Sequence, residues 1–264
     1  MLTTLPPMRT SNASKSVMPR SLHVHLLPAL FEPSDLNGGI AVVIDVLRAT
    51  TTLAHAFANG ARRVVPCETI EQAREVRNLE GDHILLGGER KGELIPGFDL
   101  DNSPTAWSQD VVADRDIAFT TTNGTRALLR SIEADRIVTA AFANLSATIR
   151  LLLSDDRPIN IVCAGTDGHI AAEDSLLAGA IVGKLQDADD EFELNDSARL
   201  VLGLWESNAA TETQRLAAIQ SGRGGTNVTR IGMTADIETA AEIDRVDLVP
   251  EFLPESADLR PAAS

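Results

Sequence analysis

Aromatic residues are scarce in this chain, and tyrosine is absent. Phenylalanine, tryptophan and tyrosine together make up 3% of the 264 residues, so ring surfaces on which nucleic-acid bases could stack are few. Cations are also in deficit, because the formal net charge is −15 at pH 7. That sign is wrong for a general binder of nucleic acid or of anionic membranes. An anionic substrate would therefore need locally concentrated arginines, backbone N–H groups or a metal cation.

Cysteines and long apolar runs are few as well. Cys67 and Cys163 each follow a short apolar run, and we predict that both are buried free thiols in a reducing compartment. No stretch approaches the ~20 apolar residues of a membrane span. Residues 1–20 lack the continuous apolar core of a secretory signal and are predicted to be a disordered extension. Together these features predict a cytoplasmic protein without a membrane partner.

Short β-branched runs are abundant, and they alternate with helical patterns rich in alanine and leucine. This alternation indicates an α/β protein with a largely parallel sheet covered by helices. We interpret residues 21–254 as a single α/β domain and residues 255–264 as a flexible tail. The predicted strands are Ile40–Ile44, Arg63–Pro66, His83–Leu86, Ile117–Thr120, Ile137–Ala140, Ile159–Cys163 and Val246–Val249.

Two segments of the chain resemble each other. Residues Thr50 to Val76 align without gaps on Asn123 to Ile149. Each segment reads as a threonine-rich turn, a helix, a strand and a second helix, in that order. Chance similarity between two βαβ units is one interpretation, and a duplication is the other. A duplication would place two equivalent turns opposite each other across a shared cleft.

Polar side chains cluster where the predicted strands end, and open α/β sheets bind their ligands at that edge. Two threonine-rich turns, Thr50–Thr52 and Thr122–Thr125, come directly before predicted helices. The first turn of a helix has unpaired N–H groups and a partial positive charge, so an anion can bind there. Helix capping alone would also explain each turn, but the occurrence of both favours an anion site.

Charged residues follow the same strands. Asp45 comes directly after the apolar run Ile40–Ile44 and can bind Mg²⁺ or act as a nucleophile, while a turn aspartate is the alternative. Arg48 can clamp a phosphate or a carboxylate with its planar fork of donors. Glu89 follows another buried strand. Asp174 lies at the start of a predicted helix, where compensation of the helix dipole is the alternative role.

The widely shared catalytic templates are absent from the sequence. It has no G-x-G-x-x-G after a strand and no G-x-x-x-x-G-K-[ST], which argues against dinucleotide-binding and P-loop classes. Leu47 stands where an aspartate-based phosphatase has its second aspartate, and no G-x-S-x-G elbow occurs. The five histidines show no zinc-ligand spacing.

A specific set of motifs resembles the 2-phosphosulfolactate phosphatase family. The similarity runs in order from about His23 to Pro250, nearly the whole chain. Asp101 is a small departure, since glycine is expected between the leucine and the asparagine at that place. The motifs are Val43–Thr52, Leu86–Arg90, Gly97–Pro104, Thr120–Thr125, Cys163–Thr166 and the pair Glu173-Asp174.

The resemblance implies a Mg²⁺-dependent acid phosphatase that converts 2-phospho-3-sulfolactate into 3-sulfolactate and phosphate. In organisms that make coenzyme M, this is a step of its biosynthesis, and the sequence leaves open whether the host makes it. It also implies a three-layer α/β/α fold built from two similar halves, and a small anionic phosphate ester as the partner. On this basis Asp45, Glu89 and Asp174 are expected to be catalytic and, together with Asp99, to be linked to the metal. The expected substrate-binding residues are Arg48, Thr50, Thr51, Arg90, Ser103, Thr122, Asn123, Gly124, Thr125, Gly165, Thr166 and Arg223.

Several alternatives stay open at this point. Arg90 and Arg223 are both candidates to bind the sulfonate, with Arg90 preferred because it follows a predicted strand end, and Arg126 is a further candidate cation. Asp45 could attack phosphorus directly or position metal-bound water. The protein could act on another 2-hydroxy-acid phosphate, or it could be a non-catalytic sensor of a phosphorylated metabolite. No nucleic-acid partner is expected, and a homodimer is one option for the assembly.

Overall fold

One sheet organises the part of the chain that the computed structural model describes, which is residues 19–188, 192–208 and 211–263. Residues 1–18 of the predicted N-terminal extension lie outside these ranges, whereas Arg20 already begins a strand. The strands are β1 (Arg20–His25), β2 (Ile40–Ile44), β3 (Arg63–Pro66), β4 (Leu85–Arg90), β5 (Glu93–Leu94), β6 (Asp116–Thr120), β7 (Arg136–Ala140), β8 (Ile159–Cys163), β9 (Phe192–Leu194), β10 (Pro250–Leu253) and β11 (Asp258–Pro261).

Helices connect most of these strands, and their ends follow local sequence signals. The helix after β3, for example, begins at a capping box in which Thr69 Oγ1 accepts the Gln72 N–H at 3.1 Å. The helices are α1 (Ala49–Ala58), α2 (Ile70–Glu80), α3 (Gln109–Val112), α4 (Gly124–Arg130), α5 (Leu145–Leu153), α6 (Ala172–Ala188), α7 (Asp196–Asn208), α8 (Glu212–Ser221), α9 (Arg223–Arg230) and α10 (Thr234–Ala241).

The sheet is mixed but mainly parallel. Its strand order is β5-β4-β6-β3-β11-β10-β7-β2-β8-β1-β9. Six strand pairs are parallel, namely β1–β8, β1–β9, β2–β7, β2–β8, β3–β6 and β4–β6. Within the described residues, antiparallel pairing is confined to the pairs β10–β11, β10–β7, β11–β3 and β4–β5. The prediction of a largely parallel α/β sheet is therefore confirmed.

The helices lie on both faces of the sheet, and the alternation of side chains along β2 shows this. Ile40, Val42 and Ile44 pack in one apolar cluster with α5, α6 and α7. Ala41 and Val43 point to the other face, where they pack in a second cluster with α1 and α4. Successive side chains of a strand point to opposite faces, so the fold has three layers, as the family resemblance implied.

The two similar segments correspond to a structural repeat. The first contains α1, β3 and α2, and the second contains α4, β7 and α5 in the same order. In the sheet, β6-β3-β11 and β10-β7-β2 are related halves that meet at the β10–β11 hairpin. Two helices carry the chain across this seam, because α1 leads from β2 to β3 and α4 leads from β6 to β7. As a result, the starts of α1 and α4 lie close together.

The prediction of a flexible tail over residues 255–264 is wrong for residues 258–261. These residues form β11, in which Asp258 and Leu259 are fully buried. Leu259 pairs with Val64 of β3 on one side, and β10 pairs with β11 on the other. The predicted strand Val246–Val249 is also wrong, because the strand begins four residues later at Pro250. Because β11 contains charged residues and no apolar run, the hydrophobic pattern of the sequence did not indicate a strand inside the sheet.

Within the described residues, the helices are too short or too polar to cross a lipid bilayer.

Cys67 and Cys163 are both buried and free, which confirms the prediction of two buried thiols. Burial raises the pKa of the Cys67 thiol to about 11, so it stays protonated and unreactive near neutral pH.

Candidate active site

A cavity of about 360 Å³ lies at the carboxyl ends of the parallel strands. Residues that follow β2, β4, β6 and β8 form one wall, and α9 with the residue after it forms the other. The prediction that these strand ends converge on a shared site is thereby confirmed. We call this cavity the strand-end pocket, and its lining consists of Asp45, Leu47, Arg48, Glu89, Lys91, Gly92, Asn102, Thr122, Asn123, Thr166, Asp167, Gly224, Asn227, Val228, Arg230 and Ile231.

Asp45 lies where the starts of α1 and α4 meet. Its Oδ1 accepts the Ala49 N–H at 3.3 Å. A Cβ added to Gly124 would lie 2.7 Å from Asp45 Oδ2 and 2.6 Å from the Cβ of Ala49, so only glycine allows this close approach. Asp45 is 6% exposed. The carboxylate is thus held between two helix starts and faces the pocket.

The pKa of Asp45 is raised to about 8, first by desolvation and then by the nearby charges of Asp174 and Glu89. Hydrogen bonds from the backbone N–H groups of Ala49 and Gly124 act in the opposite direction. An ionised Asp45 is therefore costly in this setting unless positive charge is brought to it. A bound cation would supply that charge.

Glu89 and Asp174 use their carboxylates to join the strand-end loops. The Glu89 oxygens accept N–H groups from Thr122 and from Gly92, each at 2.7 Å. The Asp174 oxygens accept N–H groups from Val46 and from Gly165, each at 2.9 Å. Both side chains are buried. Their observed contacts make them supports for the pocket wall, with Glu89 also lining it.

The orientation of Arg48 is fixed by Asp236, a residue that the sequence did not indicate. Its Nη1 donates to Asp236 Oδ2 on α10 at 2.6 Å, and its Nη2 donates to the carbonyl of Gly92 at 2.7 Å. Asp236 also accepts a 2.5 Å hydrogen bond from the Ser103 hydroxyl. Arg48 and Asp236 are 3% and 1% exposed. Ser103, expected to bind substrate, therefore positions Asp236, and Asp236 positions the arginine.

The threonines of the two turns differ in what their hydroxyl groups contact. Thr50 Oγ1 donates to the Asp45 carbonyl, and Thr51 Oγ1 donates to the Val46 carbonyl. Thr125 Oγ1 accepts the Thr121 N–H at 3.0 Å. Thr122 lines the pocket, and its buried Oγ1 makes no hydrogen bond within the described residues. Local turn geometry thus explains Thr50, Thr51 and Thr125, and Thr122 is the one with a hydroxyl left for a ligand.

This difference predicts opposite results for two isosteric replacements. Thr122→Val is expected to raise KM by roughly 10- to 150-fold, since a hydrogen bond to a charged group is worth about 1.5–3 kcal/mol. Thr51→Val is expected to lower the free energy of unfolding by about 1 kcal/mol and to leave KM unchanged. Steady-state kinetics and urea denaturation of both variants make the comparison. A KM increase in Thr51→Val, or none in Thr122→Val, would reverse the assignment.

Three expected site residues point elsewhere. Arg90 donates to the carbonyls of Glu89 and Glu68 and to the Thr120 hydroxyl. Asp99 accepts the Leu86 N–H and pairs with Arg77 on α2, outside the pocket. Arg223 is exposed at the start of α9 and does not line the pocket. The expectations of a sulfonate-binding Arg90 or Arg223 and of a metal-linked Asp99 are therefore not supported, and the same holds for the exposed Arg126.

The sequence interpretation also missed part of the pocket. Lys91 and Asn102 line the pocket, whereas the sequence points to their neighbours Arg90 and Ser103. The residues of α9 and the one after it had a readable signal, because Gly224, Asn227, Val228 and Ile231 have the spacing of one helix face. These residues complete the pocket wall opposite the strand ends.

The donor atoms of the pocket fit a magnesium ion that keeps water molecules in part of its coordination shell. Within the described ranges, no group of three or more histidine, cysteine, aspartate and glutamate side chains is placed to hold a metal ion. The four expected metal carboxylates are thus not one ligand set. Asp45 is accompanied by Asn102 and Thr122, whose buried Oδ1 and Oγ1 have no partner in the described structure. Mg²⁺ commonly takes one or two carboxylates and completes its shell with water and substrate phosphate oxygens, and these residues suit that mode.

A strand-end pocket with helix starts around it places the chain among the α/β proteins that bind small anions at this edge of the sheet. The comparison with known proteins makes the assignment specific. The chain belongs to the 2-phosphosulfolactate phosphatase family, whose model (2-phosphosulpholactate phosphatase) matches residues 25–254.

Three bacterial relatives support the same assignment. A probable 2-phosphosulfolactate phosphatase of Symbiobacterium thermophilum is 41% identical over 220 residues, which cover 83% of this chain and 93% of that protein. The protein of the same name from Deinococcus radiodurans is 39% identical over 235 residues, with 88% and 93% covered. The one from Pseudothermotoga lettingae is 38% identical over 229 residues, with 86% and 96% covered. The family suggested by the sequence motifs is confirmed.

Proposed function

We propose that this protein hydrolyses the phosphate monoester of 2-phospho-3-sulfolactate, releases 3-sulfolactate and phosphate, and depends on Mg²⁺. The names of its relatives supply the substrate. The observation that carries the proposal is the buried carboxylate of Asp45, held between the starts of α1 and α4 on the wall of a pocket that also contains Arg48. This arrangement combines a reactive or positioning carboxylate with donors for phosphoryl oxygens.

The reaction joins a water oxygen to phosphorus and breaks the ester P–O bond, and the leaving oxygen gains a proton to become the 2-hydroxyl group. Arg48 binds phosphoryl oxygens, and its guanidinium keeps its orientation because Asp236 and Gly92 hold it. The Thr122 hydroxyl, which has no partner in the described structure, supplies a further donor. Asp45 faces the reacting phosphorus, where it either attacks or orients the attacking water.

Asp45, Asn102 and Thr122 are the residues that would hold Mg²⁺ in this proposal. The ion would supply positive charge that neutralises phosphoryl oxygens. Glu89 and Asp174 contribute by keeping the loops that carry these residues in register, since each joins two strand-end loops. Two buried free thiols favour the cytoplasm as the proposed compartment, and the homodimer stays a prediction.

A phosphate-release assay with a substrate panel tests the proposal. With Mg²⁺ present, 2-phospho-3-sulfolactate is expected to be hydrolysed with a higher kcat/KM than phospholactate and phosphoglycolate, which lack the sulfonate. Preference for one of the latter would assign another 2-hydroxy-acid phosphate as the substrate. Saturable binding without phosphate release, measured by calorimetry, would instead establish a sensor and contradict the proposed hydrolysis.

A further inference from the structure

Three cationic side chains line the strand-end pocket, and they differ in their partners. Arg48 is buried and paired with Asp236. Lys91 and Arg230 are exposed, and within the described part of the chain they make no ion pair or hydrogen bond. Many other arginines of this acidic protein are paired with carboxylates, including Arg62, Arg63, Arg77, Arg136 and Arg260. Two unpaired cations, one on each wall of the pocket, are therefore available to a ligand.

The backbone presents Lys91 in a fixed way. Lys91 and Gly92 are the two central residues of the tight turn between β4 and β5, with φ of +57° and +83°. Positive φ at both positions is the conformation of the two-residue hairpin turn that matches strand twist. The Glu89 carboxylate accepts the Gly92 N–H at 2.7 Å and anchors the turn. The lysine thus projects from a rigid hairpin tip.

Arg230 is brought to the same part of the pocket by α9. It occupies the last turn of that helix, directly before Ile231. A Cβ added to Gly92 would lie 2.9 Å from Ile231 Cδ1, so the end of α9 packs against the hairpin tip. The Gly92 carbonyl also accepts from Arg48. Arg48 and Lys91 thus lie beside Gly92, and Arg230 lines the same pocket at the end of α9 that packs against this turn.

We propose that Lys91 and Arg230 form a second anion subsite, which binds the sulfonate on the carbon next to the phosphate-bearing carbon of the substrate. This assignment rests on the proposed function. A sulfonate is a fixed anion, and lysine and arginine stay charged across the working pH range, so the match does not depend on titration. The carboxylate of Asp45 repels a second anion, whereas the unpaired cations Lys91 and Arg230 attract it. The phosphate stays with Arg48 and the helix starts.

Methionine replacements test the subsite, because methionine keeps the apolar stem of the side chain and removes its charge. Lys91→Met and Arg230→Met are each expected to lower kcat/KM for 2-phospho-3-sulfolactate by roughly 10-fold or more, and for 2-phospholactate by less than about threefold. The matched control is Lys184→Met, since Lys184 is also exposed and lies outside the strand-end pocket. It is expected to behave like the unmodified protein on both substrates.

Calorimetry with 3-sulfolactate separates this inference from the proposed function, because binding of a product needs no turnover. Both variants are expected to bind 3-sulfolactate roughly 10-fold more weakly than the unmodified protein and the Lys184→Met control. If this loss occurs in a protein that releases no phosphate from either ester, the subsite is supported and the proposed hydrolysis fails. Equal kinetic losses on both esters, or unchanged 3-sulfolactate binding, would overturn the subsite.

Discussion

Asp45→Asn is expected to lower kcat for phosphate release by at least ~10²-fold, on the scale of losing one strong contact to the transition state. The change removes a charge and keeps the shape of the side chain. Amide nitrogen cannot attack phosphorus as a carboxylate does, and it binds a hard cation poorly. Steady-state measurements of phosphate release with 2-phospho-3-sulfolactate provide the value.

The fold of this variant should survive, because asparagine Oδ1 can still accept the Ala49 N–H. Asp82→Asn is a suitable control for the loss of one negative charge, since Asp82 is exposed and away from the pocket. Circular dichroism of both variants checks that they are folded. Activity of Asp45→Asn within threefold of the unmodified protein would reduce Asp45 to a turn residue and remove the basis of the proposed function.

The second large effect is expected on removal of divalent metal. Phosphate release should fall to background in EDTA and return when Mg²⁺ is added in excess, because an acidic protein must otherwise neutralise a multiply charged substrate with few cations. The direct measurement is turnover in metal-depleted buffer before and after addition of Mg²⁺. Full turnover in EDTA would rule out the metal and leave Arg48 and the helix starts as the source of positive charge.

The pH dependence of protein stability supplies an independent test of a cation bound beside Asp45. The pKa of Asp45 and that of Asp174 are each raised to about 8 in the folded protein, with desolvation as the first cause, against about 3.9 in an unfolded chain. Between these values the folded state holds protons that the unfolded state has lost, so stability falls as pH rises towards about 8.

Metal-free protein is therefore expected to have a lower Tm at about pH 8.5 than at about pH 6, and Mg²⁺ should raise Tm more at the higher pH. Desolvation also raises the pKa of Glu173 to about 7. Asp45→Asn removes one of these three ionisations, so its Tm should decrease less over the same range. A Tm that is insensitive to Mg²⁺ at both pH values would contradict a cation site beside Asp45.

The sequence predicts strands with continuous apolar runs better than strands in which apolar and polar residues alternate. The strands Ile40–Ile44, Arg63–Pro66 and Ile159–Cys163 are found with the predicted bounds. Strands buried on both faces read as continuous apolar runs. β1 and β11 alternate apolar residues with charged or polar ones, and long-range pairing decides their state. Local propensity carries little information in such cases.

The candidate site was predictable in position but not in the direction of each side chain. Strand ends and helix starts located Asp45, Arg48 and Thr122 on the pocket wall. Arg90 was expected in the site, but its neighbour Lys91 lines the pocket instead, because a turn with positive φ at Lys91 sends the two side chains to different surroundings. Asp236 comes from a helix far along the chain, and its role exists only through its contact with Arg48. Such contacts need three-dimensional coordinates.

The position of the β10–β11 hairpin has a consequence for synthesis on the ribosome. These two strands emerge after the nine other strands of the described chain, yet they alone fill the gap between β3 and β7. Until they arrive, β3 and β7 are open edges with rows of unpaired N–H and C=O groups. A nascent chain whose other strands have already paired would therefore be at a stage in which two parts of the sheet have formed but are not joined. That stage is the one most exposed to edge-to-edge aggregation.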